Sequence, residues 1–343
     1  MAEALLILRI LKTIIGVVGI LDNGLVILVI SRVKFMHTLT NTFICHQAVI
    51  DFIGSLLLLL QSNIPNPDPV PDTMAGQVLC RVWIGDAMLW LFFVISTFNL
   101  LGLTLERYAA IVYPLKYRTF FDRRPAIIIM ILAWIIGILL KSYSFIIYNV
   151  VEGVCKFQRV SVSFIIGPLL IVLQYFLPAG VMLFCYIHTA ISLKKGALRV
   201  APMPAPVIIP GSEPKPPVVV NDQQESLFRA RRNTFKTLVI VFAVFLICWS
   251  PSQITFFMFN CGWLQLDFTG ALNVFSTFLV AANCCINPIV YSIKYKQFQR
   301  GVKCLFYGDA ATRSHISGEL YGSSSNNGTA ETHTGGVDQN KGH

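Results

Sequence analysis

Charge is what this chain has least of. Only 13% of its 343 residues are charged, 17 acidic against 27 Lys and Arg. A soluble domain carries about a quarter. With 55% hydrophobic residues and a mean hydropathy of +0.66, the composition excludes an ordinary water-soluble domain. Alternating period-2 runs are missing, which excludes a membrane barrel. Internal repeats and paired broken helices are missing, which argues against a transporter. No nucleophile–base pair or metal-ligand spacing stands out, so an enzyme is not indicated. His37, His46 and His188 are scattered and read as interfacial or packed residues. The apolar start, Met1 to Leu11, is followed by no small-residue cleavage site. It reads as an uncleaved signal anchor with almost no extracellular tail, and a truncated start stays open.

What is present is apolar sequence in blocks long enough to cross a bilayer, which takes ~20 residues of helix. Seven blocks run Thr13–Ser31, Thr42–Ile64, Leu89–Val112, Ala126–Tyr148, Val162–Leu193, Phe235–Phe259 and Phe268–Ile293. Closed backbone hydrogen bonding makes each of them a helix. The expected fold is an all-α membrane protein, a seven-transmembrane helix bundle spanning residues 13–293, with a short amphipathic helix at 294–306 after the last span. Of the 27 Lys and Arg, 21 fall on one set of connections; only Arg9, Lys12, Arg81, Lys141, Lys156 and Arg159 fall on the other. The positive-inside rule then places a short N-terminus (1–12) outside and the C-terminus in the cytoplasm of a multi-pass plasma-membrane protein. That skew accounts for the formal charge of +10, and no nucleic acid partner is needed.

Between 194 and 232 the chain is rich in Pro (Pro202, Pro204, Pro206, Pro210, Pro214, Pro216, Pro217) and reads as a flexible cytoplasmic loop. The tail, 307–343, is Gly, Ser, Thr and Asn rich and reads as disordered, its hydroxyls open to kinases or simply solubilising. Cys304, at the end of the basic and aromatic stretch after the last span, is a palmitoylation candidate.

Within the spans, polar residues are few and therefore informative. Asp51 lies mid-span, Ser96 faces inward from the third span, and Asn283 and Asn287 share one face of the seventh. Two readings stay open: an oxygen-lined site for a sodium ion, the one candidate cofactor, or a polar network that holds helices together. Pro178, Pro251 and Pro288 each remove a backbone donor inside a span and mark hinges. Phe245, Cys248 and Trp249 form an aromatic face just before Pro251. Cys80 and Cys155 fall on the outer side of this topology, where disulfides persist, and are the expected bridge. Glu106-Arg107-Tyr108 closes the third span, where an ionised pair is costly unless it is used or reaches the headgroups.

In order along the chain, Asn23, the run ending at Asp51, Glu106-Arg107-Tyr108 with Pro114-Leu115, Trp134, Pro178 with Tyr186, Phe245-x-x-Cys248-Trp249-Ser250-Pro251 and Asn287-Pro288-Ile289-Val290-Tyr291 resemble the rhodopsin-like (class A) G-protein-coupled receptors. The resemblance covers all seven spans. It implies that an extracellular agonist shifts the bundle between two states and that the active state promotes nucleotide exchange on a heterotrimeric G protein, the chain itself catalysing nothing. It implies that Arg107 pairs with Glu106 at rest and meets the G protein when active, steadied by Tyr186 and Tyr291, with Leu115 packing into the partner. Arrestin and receptor kinases at the tail are further implied partners. Asp51, Ser96, Asn283 and Asn287 match the family's sodium site, which favours the resting state.

Counting along helices from these motifs puts Gln61, Leu89, Trp90, Phe93, Gln174, Trp249, Gln253, Phe256 and Thr277 at the ligand site. The set suits a small peptide or a largely apolar small molecule, with Lys12 and Lys141 near the rim to meet an acidic group or to snorkel. Departures from the family pattern narrow this. Leu89 stands where amine receptors carry an Asp, and Ala281 where opsins carry the retinal lysine. Thr97 replaces a bulky core aliphatic, and Arg231 stands where an acid often holds Arg107, so agonist-free signalling is expected. Cys80 precedes Arg107 by 27 positions, a longer spacing that, with the STFNLLGLTLERY stretch, resembles the peptide-receptor-like branch of invertebrates. A receptor-shaped scaffold or decoy without G-protein coupling is the alternative reading.

Overall fold

The computed structural model describes residues 2–158, 162–200, 222–265 and 270–308. Seven of its helical segments are long and apolar enough to cross a membrane. We label them α1 (Ala2–Arg32), α2 (Leu39–Asn63), α3 (Ala87–Val112) and α4 (Arg123–Lys141). Then follow α5 (Ser163–Ile171, a π-turn at Val172–Phe176, and Leu177–Val200), α6 (Asp222–Asn260) and α7 (Ala271–Lys294). A further helix, α8, occupies 296–308.

The helix α3 is the axis of the bundle, touching α2, α4, α5 and α6, while α1 leans on α2 and α7. Without a hydrophobic drive between helices in lipid, close packing depends on small residues. A side chain at Gly19 would collide with Ser55 of α2, and one at Gly102 would lie 2.7 Å from Ile129 of α4 and 3.2 Å from Phe43. The face of α4 away from α3 exposes Ile127, Ile128, Ile131, Leu132, Ile135, Ile138 and Leu139, the surface that lipid tails would cover. Asn23 of α1 donates to Cys284 O of α7 at 2.9 Å, a polar stitch between neighbouring spans.

Helix ends differ from the sequence expectation where turn chemistry overrides hydropathy. Residues 2–12, expected to precede the first span, are helical and continuous with it in α1, because nothing in this stretch interrupts a helix. The loop placed at 194–232 is narrower, since α5 continues to Val200 and α6 begins at Asp222; the Pro-rich residues 201–221 lie outside the described residues, as do the tail hydroxyls beyond 308. The fourth span turns after Lys141 and resumes as a short helix, Ser144–Ile147, ending just before Tyr148, and α8 runs 296–308 rather than 294–306. Pro178 is accommodated by the π-turn at Val172–Phe176, which shifts the carbonyl register ahead of the ring. The long spacing from Cys80 to Arg107 is taken up the same way. A π-turn at Cys80–Ile84, with Gly85 N bonded to Cys80 O at 2.7 Å, is followed by Asp86 in the left-handed region at φ 56°.

Among the described residues one element is not helical. β1 (Tyr148–Val151) and β2 (Val154–Phe157) form an antiparallel hairpin whose two-residue turn, Glu152 (φ 54°) and Gly153 (φ 74°), has the positive φ values that such turns require. The disulfide Cys80–Cys155, with Cα atoms 5.4 Å apart, pins β2 to the start of the third span. Arg81 adds Nε to Tyr148 O (3.1 Å) and Nη2 to Asn149 Oδ1 (2.7 Å). The other end of the bundle carries Glu106 and Arg107. There α8 docks through buried Phe298 and Gly301, the latter against Val29 and Met36, leaving Lys296, Arg300 and Lys303 exposed and Cys304 half-buried.

Candidate functional site

Four groups of candidate functional side chains are stacked along the bundle axis. At the hairpin end a cavity of about 200 Å³ opens between α3, α4, α5, α6 and α7 and is roofed by Tyr148 and Phe157 of the hairpin. Trp90, Gln174, Gln253, Phe256 and Thr277 line it, and so do Lys141, expected near the rim, and Asp86, which counting from motifs did not place there. Gln174 Nε2 donates to Gln253 Oε1 at 3.1 Å. The Lys141 ammonium lies 5.3 Å from the Trp90 ring centroid and has no carboxylate within ion-pair distance among the described residues. Asp86 pushes the Tyr148 phenol, already raised by burial, up to about 12, so that hydroxyl stays protonated. Gln61 and Leu89 line a smaller neighbouring cavity of about 170 Å³, together with Lys12 and Asp86.

Below the cavity floor lies an aromatic layer. Trp249, 2% exposed, stacks on Tyr175 at 6.5 Å, packs on Phe245 at 5.6 Å, and meets Phe93 edge-on at 6.3 Å and Trp90 at 6.4 Å. Phe93 and Trp249 are therefore one layer deeper than the cavity wall, and Trp90 joins the two. Tyr175 OH and Ser250 Oγ are 2.6 Å apart, tying α5 to α6 beside Pro251. Thr97 turns its hydroxyl back to Phe93 O at 3.2 Å, leaving this layer to aromatic rings.

Next along the axis is Asp51, 1% exposed. Ser96 Oγ donates to its Oδ1 at 3.0 Å and Asn287 Nδ2 to its Oδ2 at 3.0 Å. Gln47, one turn earlier on α2, places Nε2 at 3.1 Å from both oxygens. Asn283 does not bond to Asp51, and its buried Oδ1 has no partner among the described residues.

At the far end Arg107 forms a bidentate pair with Glu106, through Nε and Nη2, and Glu106 is completely buried while the Arg107 side chain is 18% exposed. Two hydroxyls complete the carboxylate's shell: Tyr117 OH at 2.5 Å and Thr40 Oγ1 at 3.4 Å from both oxygens. Burial and the neighbouring Glu106 carboxylate push the Tyr117 phenol well up, so it remains a donor. Tyr186 is engaged elsewhere, its OH 3.0 Å from Thr104 Oγ1, and the Tyr291 OH is buried without a partner among the described residues. Tyr108 points to α5, 2.9 Å from His188 Nδ1. Leu115 projects outward, 81% exposed, on the short helix Pro114–Phe120. Neither Tyr186 nor Tyr291 is hydrogen-bonded to Arg107, and the side chain of Arg231 is outside the described residues. Tyr117 and Gln47 were missed from sequence; both are polar residues one or two turns from a motif, and only tertiary packing shows what they face.

Comparison with known proteins bears on the family and the fold. The profile of the family described as 7 transmembrane receptor (rhodopsin family) matches residues 22–291. The chain is 24% identical to a cholecystokinin receptor of Xenopus laevis, covering 85% of this chain and 74% of that protein. It is 26% identical to trace amine-associated receptor 1 of Mus musculus, covering 93% and 92%. A galanin receptor 2a of Danio rerio is 26% identical, covering 90% and 81%. The crystal structure of squid rhodopsin superposes with a TM-score of 0.69 at 20% identity, covering 89% of this chain and 85% of that one. These relatives carry differently named ligands and do not single out the invertebrate branch.

Proposed function

The chain belongs to the rhodopsin family of seven-transmembrane receptors, and from that premise we propose that it converts binding of an extracellular ligand at the hairpin-end cavity into nucleotide exchange on a heterotrimeric G protein at the Arg107 end. The proposal places the hairpin outside the cell and α8 in the cytoplasm at the plasma membrane. The observation that carries it is the Glu106–Arg107 pair, sealed by Tyr117 and Thr40 within reach of the solvent-exposed Leu115. A buried ion pair is poor at stabilising a fold and is well suited to holding one of two states. The route between the ends is contact: a ligand pressing on Trp90 presses on Trp249, and Trp249 sits on the α6 hinge before Pro251. Nucleotide exchange measured across the Gα families, in membranes with and without the chain, tests the reading. Exchange on at least one Gα supports it, and a silent panel with every ligand class counts for the uncoupled scaffold.

The ligand is proposed to be a small peptide or a largely apolar small molecule with an anionic group. Lys141 supports this, as a cation stacked on Trp90 inside the cavity without a carboxylate partner among the described residues. A charge-assisted hydrogen bond is worth ~1.5–3 kcal/mol, about 10- to 100-fold in affinity. Lys141→Gln is therefore expected to lower the potency of a carboxylate agonist by that factor and to leave its methyl ester unaffected; equal losses for both would contradict the assignment.

A further inference from the structure

The Asp51 cluster does not fit a sodium ion, and the misfit traces to Gln47. A hard cation is held by oxygen lone pairs, about six of them for ions of this kind. Around Asp51 the lone pairs are already taken by protons: Gln47 Nε2 at 3.1 Å from both oxygens, Ser96 Oγ at 3.0 Å and Asn287 Nδ2 at 3.0 Å. Gln47 Nε2 also donates to Ser96 Oγ, the hydroxyl oxygen a cation would use. Asn283 Oδ1 is the one buried oxygen of the cluster without a donor among the described residues, and one neutral oxygen does not make a cation cage.

The direction of the Gln47 amide is dictated from outside the cluster. The Trp134 indole N–H can only donate, and it donates to His46 Nε2 at 3.0 Å. That nitrogen must therefore accept, so the ring is neutral with its proton on Nδ1. Nδ1 then donates to Asn99 Oδ1 at 2.8 Å. With its oxygen accepting, Asn99 turns Nδ2 toward Phe43 O (3.2 Å) and Gln47 Oε1 (2.8 Å). Gln47 Oε1 is thereby committed as an acceptor, and its N–H groups face Asp51. Flipping the amide would oppose two NH2 groups at Asn99 and set an oxygen against the carboxylate. Gln47, Asn99 and Asp51 are all at most 2% exposed, so water does not relieve either clash.

We propose that the Gln47 amide occupies the cation's place at Asp51, held there by a one-way donor chain from Trp134 through His46 and Asn99, so that the balance between the receptor's states does not respond to sodium. The donor end of an amide dipole supplies the positive potential at the carboxylate that an ion would otherwise bring. Because it is covalently part of α2, its occupancy does not vary with salt. This inference is independent of G-protein coupling, and so is its test.

The full chain, purified in detergent, would be unfolded in NaCl, KCl and choline chloride at equal ionic strength, with tryptophan fluorescence as the readout. The three wild-type midpoints are expected to coincide. Gln47→Leu, which removes the amide and leaves Asp51, Ser96, Asn283 and Asn287, is expected to gain a rise of roughly 3 °C or more in NaCl alone. Gln47→Met carries the same expectation if the Leu variant does not yield folded protein. Wild-type stabilisation by NaCl over both other salts overturns the proposal, and so does a folded Gln47 variant indifferent to sodium.

Discussion

Glu106→Gln is expected to raise ligand-free nucleotide exchange several-fold over wild type at matched surface expression. Glu106 is fully buried and takes polar contacts from three side chains: Arg107 through two nitrogens, Tyr117, and Thr40 shared between both oxygens. A neutral amide keeps the volume but removes the charge that holds the guanidinium. Breaking a fully buried pair costs ~3–5 kcal/mol, and the 18% exposure of Arg107 argues for a smaller penalty, about 1.5–3 kcal/mol. That corresponds to roughly 10- to 100-fold in the ratio of the two states, with the observed rise capped once the active state dominates. Tyr117→Phe removes one donor and should act in the same direction with about a tenth of the effect on the ratio. Wild type itself should signal above mock-transfected cells, because α6 carries Arg231 where an acid would help to hold Arg107. An E106Q variant no more active than wild type would contradict the resting-state role of the pair.

Cys155→Ser is expected to cost most of the surface expression and the ligand response together. The bridge closes a separation of 75 residues, and loss of such a link typically costs ~2–5 kcal/mol. For a domain of this size that lowers the melting midpoint by roughly 4–15 °C. The functional loss follows from what the bridge holds. A two-stranded hairpin is marginal alone, yet Tyr148 and Phe157 from this one roof the cavity. Arg81 and Val70, bonded to Tyr148 O and Gly153 O, are too few to replace the covalent tie. The double variant Cys80→Ser/Cys155→Ser should be no worse than either single one, since each already removes the whole bridge. A single variant with wild-type melting and surface level would contradict this account.

The spans were legible in sequence because lipid demands long apolar helices, and every span leaves that trace. Their ends were not, because hydropathy does not register a π-turn at Cys80–Ile84 or a left-handed Asp86. The hairpin was readable in principle: Glu152-Gly153 between Val-Val and Val-Cys is a two-residue turn signal, hidden by reading Tyr148 as the end of a span. Asp51 announced itself as a mid-span carboxylate. Gln47 did not, since an amide one turn away looks like any polar residue until Asn99 and Trp134, from two other helices, close the chain through its neighbour His46. Counting from motifs found the cavity's height along α3, α5, α6 and α7. It does not tell wall from floor: Phe93 and Trp249, expected beside the other candidates, lie beneath Trp90 rather than on the cavity wall.

The Arg107 end is proposed to be where this bundle acts on a G protein. The most direct test is nucleotide exchange across the Gα families for wild type and Arg107→Ala, at equal receptor density in the same membranes. The account predicts exchange on at least one Gα with wild type and a fall to the receptor-free background with the variant, while surface level is retained. Undiminished exchange in the variant would contradict it.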